Sequence, residues 1–210
     1  MNAVSSNVTS VQRKGQDSRS AETRDKLLDA TYCILRDLGH AGLRLAKVSE
    51  KSDVSRGGLL HHYPTKELLI AAVFERITNR MERASMERIA AAGDEQLLEE
   101  IVADARARFL DESYRILLDI LVASGKERSL MQDRSALAAR DHLPARRAWA
   151  QRLASTGIDA ETAERITALL WNTVKGLAVR NLVHTDQALC DRVIALSLVL
   201  AHRRCARARR

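Results

Sequence analysis

The segment VSRGGLLHHYPTKELL, Val54–Leu69, decides how this chain is read. Ser55 is placed to cap a helix, because its hydroxyl can accept from a free backbone amide one turn further on. The helix predicted behind it closes near His62, since Pro64 has no amide to donate and cannot continue it. Thr65 can then cap a new helix opening at Lys66, with Glu67 in the first turn, where the helix dipole favours an anion. Just ahead, Leu45–Ser52 puts Leu45 and Val48 on one face and predicts another short helix. Asp53-Val54-Ser55 joins the two, and Asp tolerates the left-handed backbone that a tight turn between helices needs. Two short helices joined this way have the dimensions of a helix-turn-helix, whose second helix enters a DNA major groove about 12 Å wide.

The basic side chains fall where such docking needs them. Arg44 and Lys47 sit around the start of the first helix of the pair, Arg56 opens the second, and His61, His62 and Lys66 lie at its far end. Phosphate contacts position a protein and base contacts specify sequence, so Lys66 reads as a positioner and Arg56 as a reader of guanine. Gly57 and Gly58 each weaken a helix by about 1 kcal/mol relative to Ala. They mark either a loose turn or a backbone brought close to phosphate. Leu45, Leu60 and Tyr63 complete the candidate DNA-facing set, with Leu60 and Tyr63 leaning towards core. Adjacent helical residues point about 100° apart, and no Asp, Glu or Cys follows His61 or His62 at four residues, so no metal site is expected there.

Working outward, Leu27, Thr31, Ile34, Leu35 and Leu38 recur at helical steps from Ser20 to near Gly39. The Ser-rich start, with Arg13, Lys14 and Arg19, has too little apolar surface to offset the entropy of ordering it, and is expected to be a flexible basic arm. After Lys66, the residues Leu68, Ala71, Ala72, Phe74, Ile77 and Met81 keep helical spacing to about Ala92. Further helices are expected over Glu95–Leu110, Glu112–Lys126, Leu130–Ser155, Ala160–Val183 and Thr185 to about Arg204. The expected partition is a flexible basic arm over 1–20, a three-helix DNA-binding domain over 21–81, a helical bundle for ligand binding and dimerisation over 82–205, and a basic tail over 206–210. The fold class is all-α.

Composition agrees with that reading. The chain has 210 residues, 46% hydrophobic and 29% charged, with nine Gly and two Pro. So few turn formers disfavour an all-β fold, in which each hairpin wants one. The net charge of +7 is uneven. Residues 1–80 carry 13 Lys+Arg against 9 Asp+Glu, a net +4; residues 81–201 carry 16 against 18, a net −2; residues 202–210 add five Arg. Basic ends around a neutral body suit a polyanion-binding module joined to a body that does not bind one. The terminal RRCARARR fits a solvated helix end or a further DNA contact.

The longest apolar run near the end, VIALSLVLA, is well short of the roughly 20 residues that span a bilayer. No secretory signal is visible in the first twenty residues, so a cytoplasmic protein is expected. Cys33, Cys190 and Cys205 have neither disulfide nor metal-like spacing and read as reduced thiols, Cys33 as a small buried hydrophobe. The motifs of hydrolases, P-loop enzymes, dinucleotide-binding enzymes and zinc proteases are absent, so the protein is not expected to be an enzyme or to carry a cofactor.

The stretch Glu22–Met81 resembles the DNA-binding domain of the TetR (tetracycline repressor) family of bacterial transcriptional regulators. The resemblance rests on Val54-Ser55, Gly57, Leu59, His62-Tyr63 and Lys66-Glu67, with Gly39 ahead of them. It implies that the helix after Ser55 is the recognition helix, that Tyr63 packs the next helix against it, and that Lys66 meets phosphate. Gly58, Leu60, Arg44 and Asp53 depart from residues common in the family. Gly58 and Leu60 stand where hydroxyl side chains often reach phosphate.

In the bundle, Ile166, Leu170, Val174 and Leu177 form one apolar stripe, and Leu189, Val193, Leu196 and Leu200 form another, with Ile194, Leu198 and Ala201 on a second face. These two stripes predict a homodimer interface made of four helices. Trp149, Trp171 and Asn172 either line an effector pocket or simply pack. The expectation is a ligand-responsive repressor binding a palindromic operator as a dimer and released by an unidentified small molecule, apolar by preference. The alternative is a ligand-binding helical dimer with a vestigial DNA-binding head.

Overall fold

A computed structural model describes residues 4–124 and 143–208, which form helices and connecting turns with no strand among them. The helices are α1 (Val4–Gly42), α2 (Leu45–Ser52), α3 (Arg56–His62), α4 (Lys66–Ala91), α5 (Leu97–Phe109), α6 (Glu112–Ser124), α7 (Leu143–Ala154), α8 (Ala160–Asn181) and α9 (Gln187–Ala208). The chain divides into two compact units, one ending at Arg76 and one starting at Ile77. The division falls within α4.

In the first unit, α1 starts at Val4, well before the expected Ser20. The segment ahead of Ser20 has no proline, so its backbone can extend a helix already nucleated around Leu27 and Ile34. The flexible arm expected over 1–20 is therefore replaced by helix from Val4 onward. Where α1 was expected to end, Gly39 has φ 65° and ψ −179°, a conformation that leaves the helix and favours a residue without Cβ. Leu27, Ile34 and Leu35 of α1 pack inward with Leu43, Val48, Leu59, Tyr63, Leu69, Val73 and Phe74. Each such side chain removed from water stabilises the fold by about 1.5–3 kcal/mol. Two expected core positions face solvent instead: Leu38 and Leu68 are each about half exposed, because Leu69 and Ile70 rather than Leu68 lie on the buried side of α4. Cys33 is half-buried.

In the second unit α8 packs against α5, α7 and α9. Asp159 caps it by accepting from the Thr162 amide at 2.8 Å. This central position corrects one expectation. Ile166, Leu170, Val174 and Leu177 are buried within the chain itself, so that stripe belongs to the core and offers no surface to a partner. On α9, Cys190, Ile194, Ser197, Ala201 and Cys205 turn inward, Leu189 and Val193 are half-buried, and Leu196 and Leu200 are exposed. The inner ends of the helices expected over Glu112–Lys126 and Leu130–Ser155 lie outside the described residues, as do the last two residues of the tail. No described helix is long and apolar enough to cross a membrane.

Candidate nucleic-acid interface

The α2–α3 corner is fixed by local hydrogen bonds. Asp53 takes the left-handed conformation (φ 55°, ψ 33°), its amide reaches the Glu50 carbonyl, and the Val54 amide reaches the Ser49 carbonyl at 3.2 Å. The Ser49 hydroxyl donates back to the Val54 carbonyl. Ser55 caps α3 as expected, its Oγ accepting from the Gly58 amide at 3.1 Å. Thr65 caps α4 in the same way, accepting from the Leu68 amide at 3.2 Å. These bonds satisfy amides that a helix start leaves unpaired, and they fix where α3 begins.

Burial sorts the expected contact residues. Leu59 is fully buried beneath α3 and Tyr63 nearly so, whereas Arg44, Lys47, Ser55, Arg56, Gly57, Leu60 and His61 are exposed, and Leu45, Gly58, His62 and Lys66 are half-buried. Tyr63 therefore supports α3 from below, and burial pushes its phenol above the usual range. Leu60, expected to lean towards core, lies on the outer face at 37% exposure, since it sits one residue around the helix from inward-facing Leu59. Arg44 makes no side-chain cap for α2. Its Nη1 turns back to the carbonyls of Ala41 at 2.7 Å and Leu43 at 3.0 Å. His61 and His62 stack edge to face with centroids 5.3 Å apart. Desolvation, then the His61 and Arg24 charges, hold the His62 imidazole below its ordinary pKa.

This arrangement is a capped helix with a buried underside and an outer face that carries Arg56 and His61 beside Gly57 and Leu60. No family model matches the chain. It is 35% identical over 202 residues to the HTH-type transcriptional regulator CymR of Pseudomonas putida, covering 96% of this chain and all of that one. A solved TetR-family regulator from Mesorhizobium loti superposes with a TM-score of 0.63 at 18% identity, over 87% of this chain and 96% of that one. The chain belongs to the TetR family of transcriptional regulators. It is accordingly a DNA-binding regulator and not an enzyme. The HTH-type transcriptional repressor KstR of Mycolicibacterium smegmatis is 36% identical over 69 residues, 31% of this chain and 34% of that one. The SmeT–triclosan complex shares the fold with a TM-score of 0.62 at 21% identity, over 85% of this chain and 89% of that one.

The body of this TetR-family chain holds a buried polar cluster that sequence reading missed. Asp104 of α5 accepts from Ser85 of α4 at 2.9 and 3.0 Å and from the Trp149 indole of α7 at 2.8 Å. One turn along α5, the Arg108 guanidinium donates to Glu82 and to Ser85, both at 3.2 Å, and lies 5.3 Å from the Trp171 ring centroid. Burial pushes the carboxyls of Asp104 and Glu82 up, against the pull of these partners. The cluster thus ties α4 to α5 and α7 through groups that are costly to separate once dry. Trp149 and Trp171 are core residues within or against it, and Asn172 is exposed. None of the three lines the cleft of about 290 Å³ formed by Phe109, Leu110, Tyr114, Leu118, Ala178 and Leu182 with neighbouring polar residues.

Proposed function

We propose that this TetR-family chain is a cytoplasmic repressor that binds a palindromic operator as a homodimer and is released when a small apolar effector occupies its helical body. The observation that carries the reading is the Ser55-capped α3, with Leu59 and Tyr63 buried beneath and Arg56, Gly57, Leu60 and His61 turned outward. Arg56 contacts guanine, and Arg44, Lys47 and Lys66 meet phosphate. The sign of regulation follows the relative named as a repressor, whose similarity covers the length of a DNA-binding head.

Dimerisation is supported by an apolar surface that the fold leaves uncovered. Leu196, Val199 and Leu200 of α9 and Leu169 and Val179 of α8 are each more than 40% exposed, and together they suit a two-fold contact. An effector is supported by the triclosan bound to a protein of this fold and by the cleft beside Phe109 and Leu118, whose volume is close to the lower end for small-molecule sites. An effector that favours the unbound form lowers operator affinity by its preference between the two states.

Selection from a random pool of duplexes tests the reading, followed by the mass of the selected complex. A palindrome with half-sites about 34–36 Å apart, bound by two chains, is the expected result. A sequence-indifferent pool, or one chain per duplex, overturns it.

A further inference from the structure

The outer face of α3 carries an apolar group where a polar one would serve phosphate. Leu59 is fully buried, so Leu60, the next residue around the helix, points outward and keeps 37% of its surface exposed. Three residues earlier on the same face stands Gly57, and a Cβ built there meets no atom within 4 Å. Gly58 differs, because a Cβ there would lie 3.1 Å from Val54 Cγ1 and 3.3 Å from the Ser55 Oγ, so packing within the turn accounts for its small size. Nothing inside the fold accounts for the missing side chain of Gly57. Residues three apart on a helix are neighbours, so Gly57 and Leu60 share the outer face, with open space where a Gly57 side chain would stand. Exposed Arg56 and His61 flank it.

A major groove offers hydrogen-bond donors, acceptors and one apolar group, the 5-methyl of thymine. An apolar side chain pressed against a base donor or acceptor leaves that group dry and unpaired, at a cost in affinity. Against a methyl it gains instead. We propose that Leu60, beside the open space at Gly57 on the outer face of α3, reads a thymine through its 5-methyl group in each half-site, making Leu60 a determinant of sequence specificity. This rests on the operator-binding reading above.

The test replaces each thymine of the selected operator by deoxyuridine, which deletes only the methyl, and titrates each duplex by fluorescence anisotropy with the unaltered protein and with Leu60→Ala. At one position per half-site, the unaltered protein should lose about four-fold in affinity, the worth of one methyl group kept from water. Leu60→Ala should show no loss at that same position while remaining sensitive to Arg56→Ala elsewhere. Leu60 is not part of the buried core, so the variant should fold, and helical circular dichroism checks this. Equal deoxyuridine effects in both proteins, or no sensitive thymine in either, overturn the thymine contact and leave operator binding standing. A selection that returns no sequence overturns both.

Discussion

Replacing Gly57 by Ala should move stability and DNA affinity in opposite directions. No atom lies within 4 Å of the added Cβ, and Gly57 has no left-handed backbone, so the fold accepts the methyl without strain. The substitution reduces the entropy of the unfolded chain and improves helix propensity, together about 0.5–1 kcal/mol of stabilisation. For a chain of this length that raises the melting midpoint by about 1–4 °C. If α3 enters the groove as proposed, the same methyl stands on the face that meets the bases. Displacing one base contact costs about 1–3 kcal/mol, so operator affinity should fall about five-fold or more. Melting followed by circular dichroism and anisotropy titration on one preparation give both numbers. Unchanged affinity with raised stability would show that α3 does not approach DNA at Gly57. Lowered stability would show that an internal contact was missed.

Three further outcomes follow. Asp104→Ala removes the buried acceptor of both the Ser85 hydroxyl and the Trp149 indole, the hydroxyl still accepting from Arg108, and should lower unfolding free energy by about 3 kcal/mol in urea titration; a change within experimental error would show the cluster to be hydrated. His62 binds its proton less tightly folded than unfolded, so the stability it contributes is present above the unfolded pKa near 6.5 and is lost as pH falls through the lower folded value. The pH slope of the melting midpoint below about 6.5 should therefore shrink in His62→Gln, and an identical slope would refute the shift. If the proposed dimer forms through α9, Leu196→Glu should yield monomer in sedimentation at micromolar concentration without lowering the melting of the monomer core, because Leu196 is 59% exposed within one chain; a persistent dimer would place the interface elsewhere.

The head was legible because its signals are local. A Ser three residues before an orphan amide, an Asp in a tight turn and a Gly at a helix break each act within one turn of chain, and α2 and α3 run over the residues those signals delimit. Which side of a helix is covered is not local. Ile166, Leu170, Val174 and Leu177 have the spacing of an interface stripe and of a core stripe alike, and only the helices packed around α8 distinguish the two. Leu60 and Leu68 were misplaced for the same reason: an apolar run such as Leu59-Leu60 or Leu68-Leu69-Ile70 does not say which member faces in. The Asp104 cluster joins residues 19 and 45 positions apart on three helices, a pairing that periodicity does not encode.

The most direct test of the account is the affinity of the unaltered protein for its selected operator and for a scrambled duplex of equal length, each measured across a salt series. The account predicts an operator preference of about a thousand-fold or more at physiological salt, with log affinity for both duplexes falling linearly as log salt rises. Equal affinity for the two duplexes at every salt concentration would contradict it, leaving a basic surface that holds phosphate and reads no sequence.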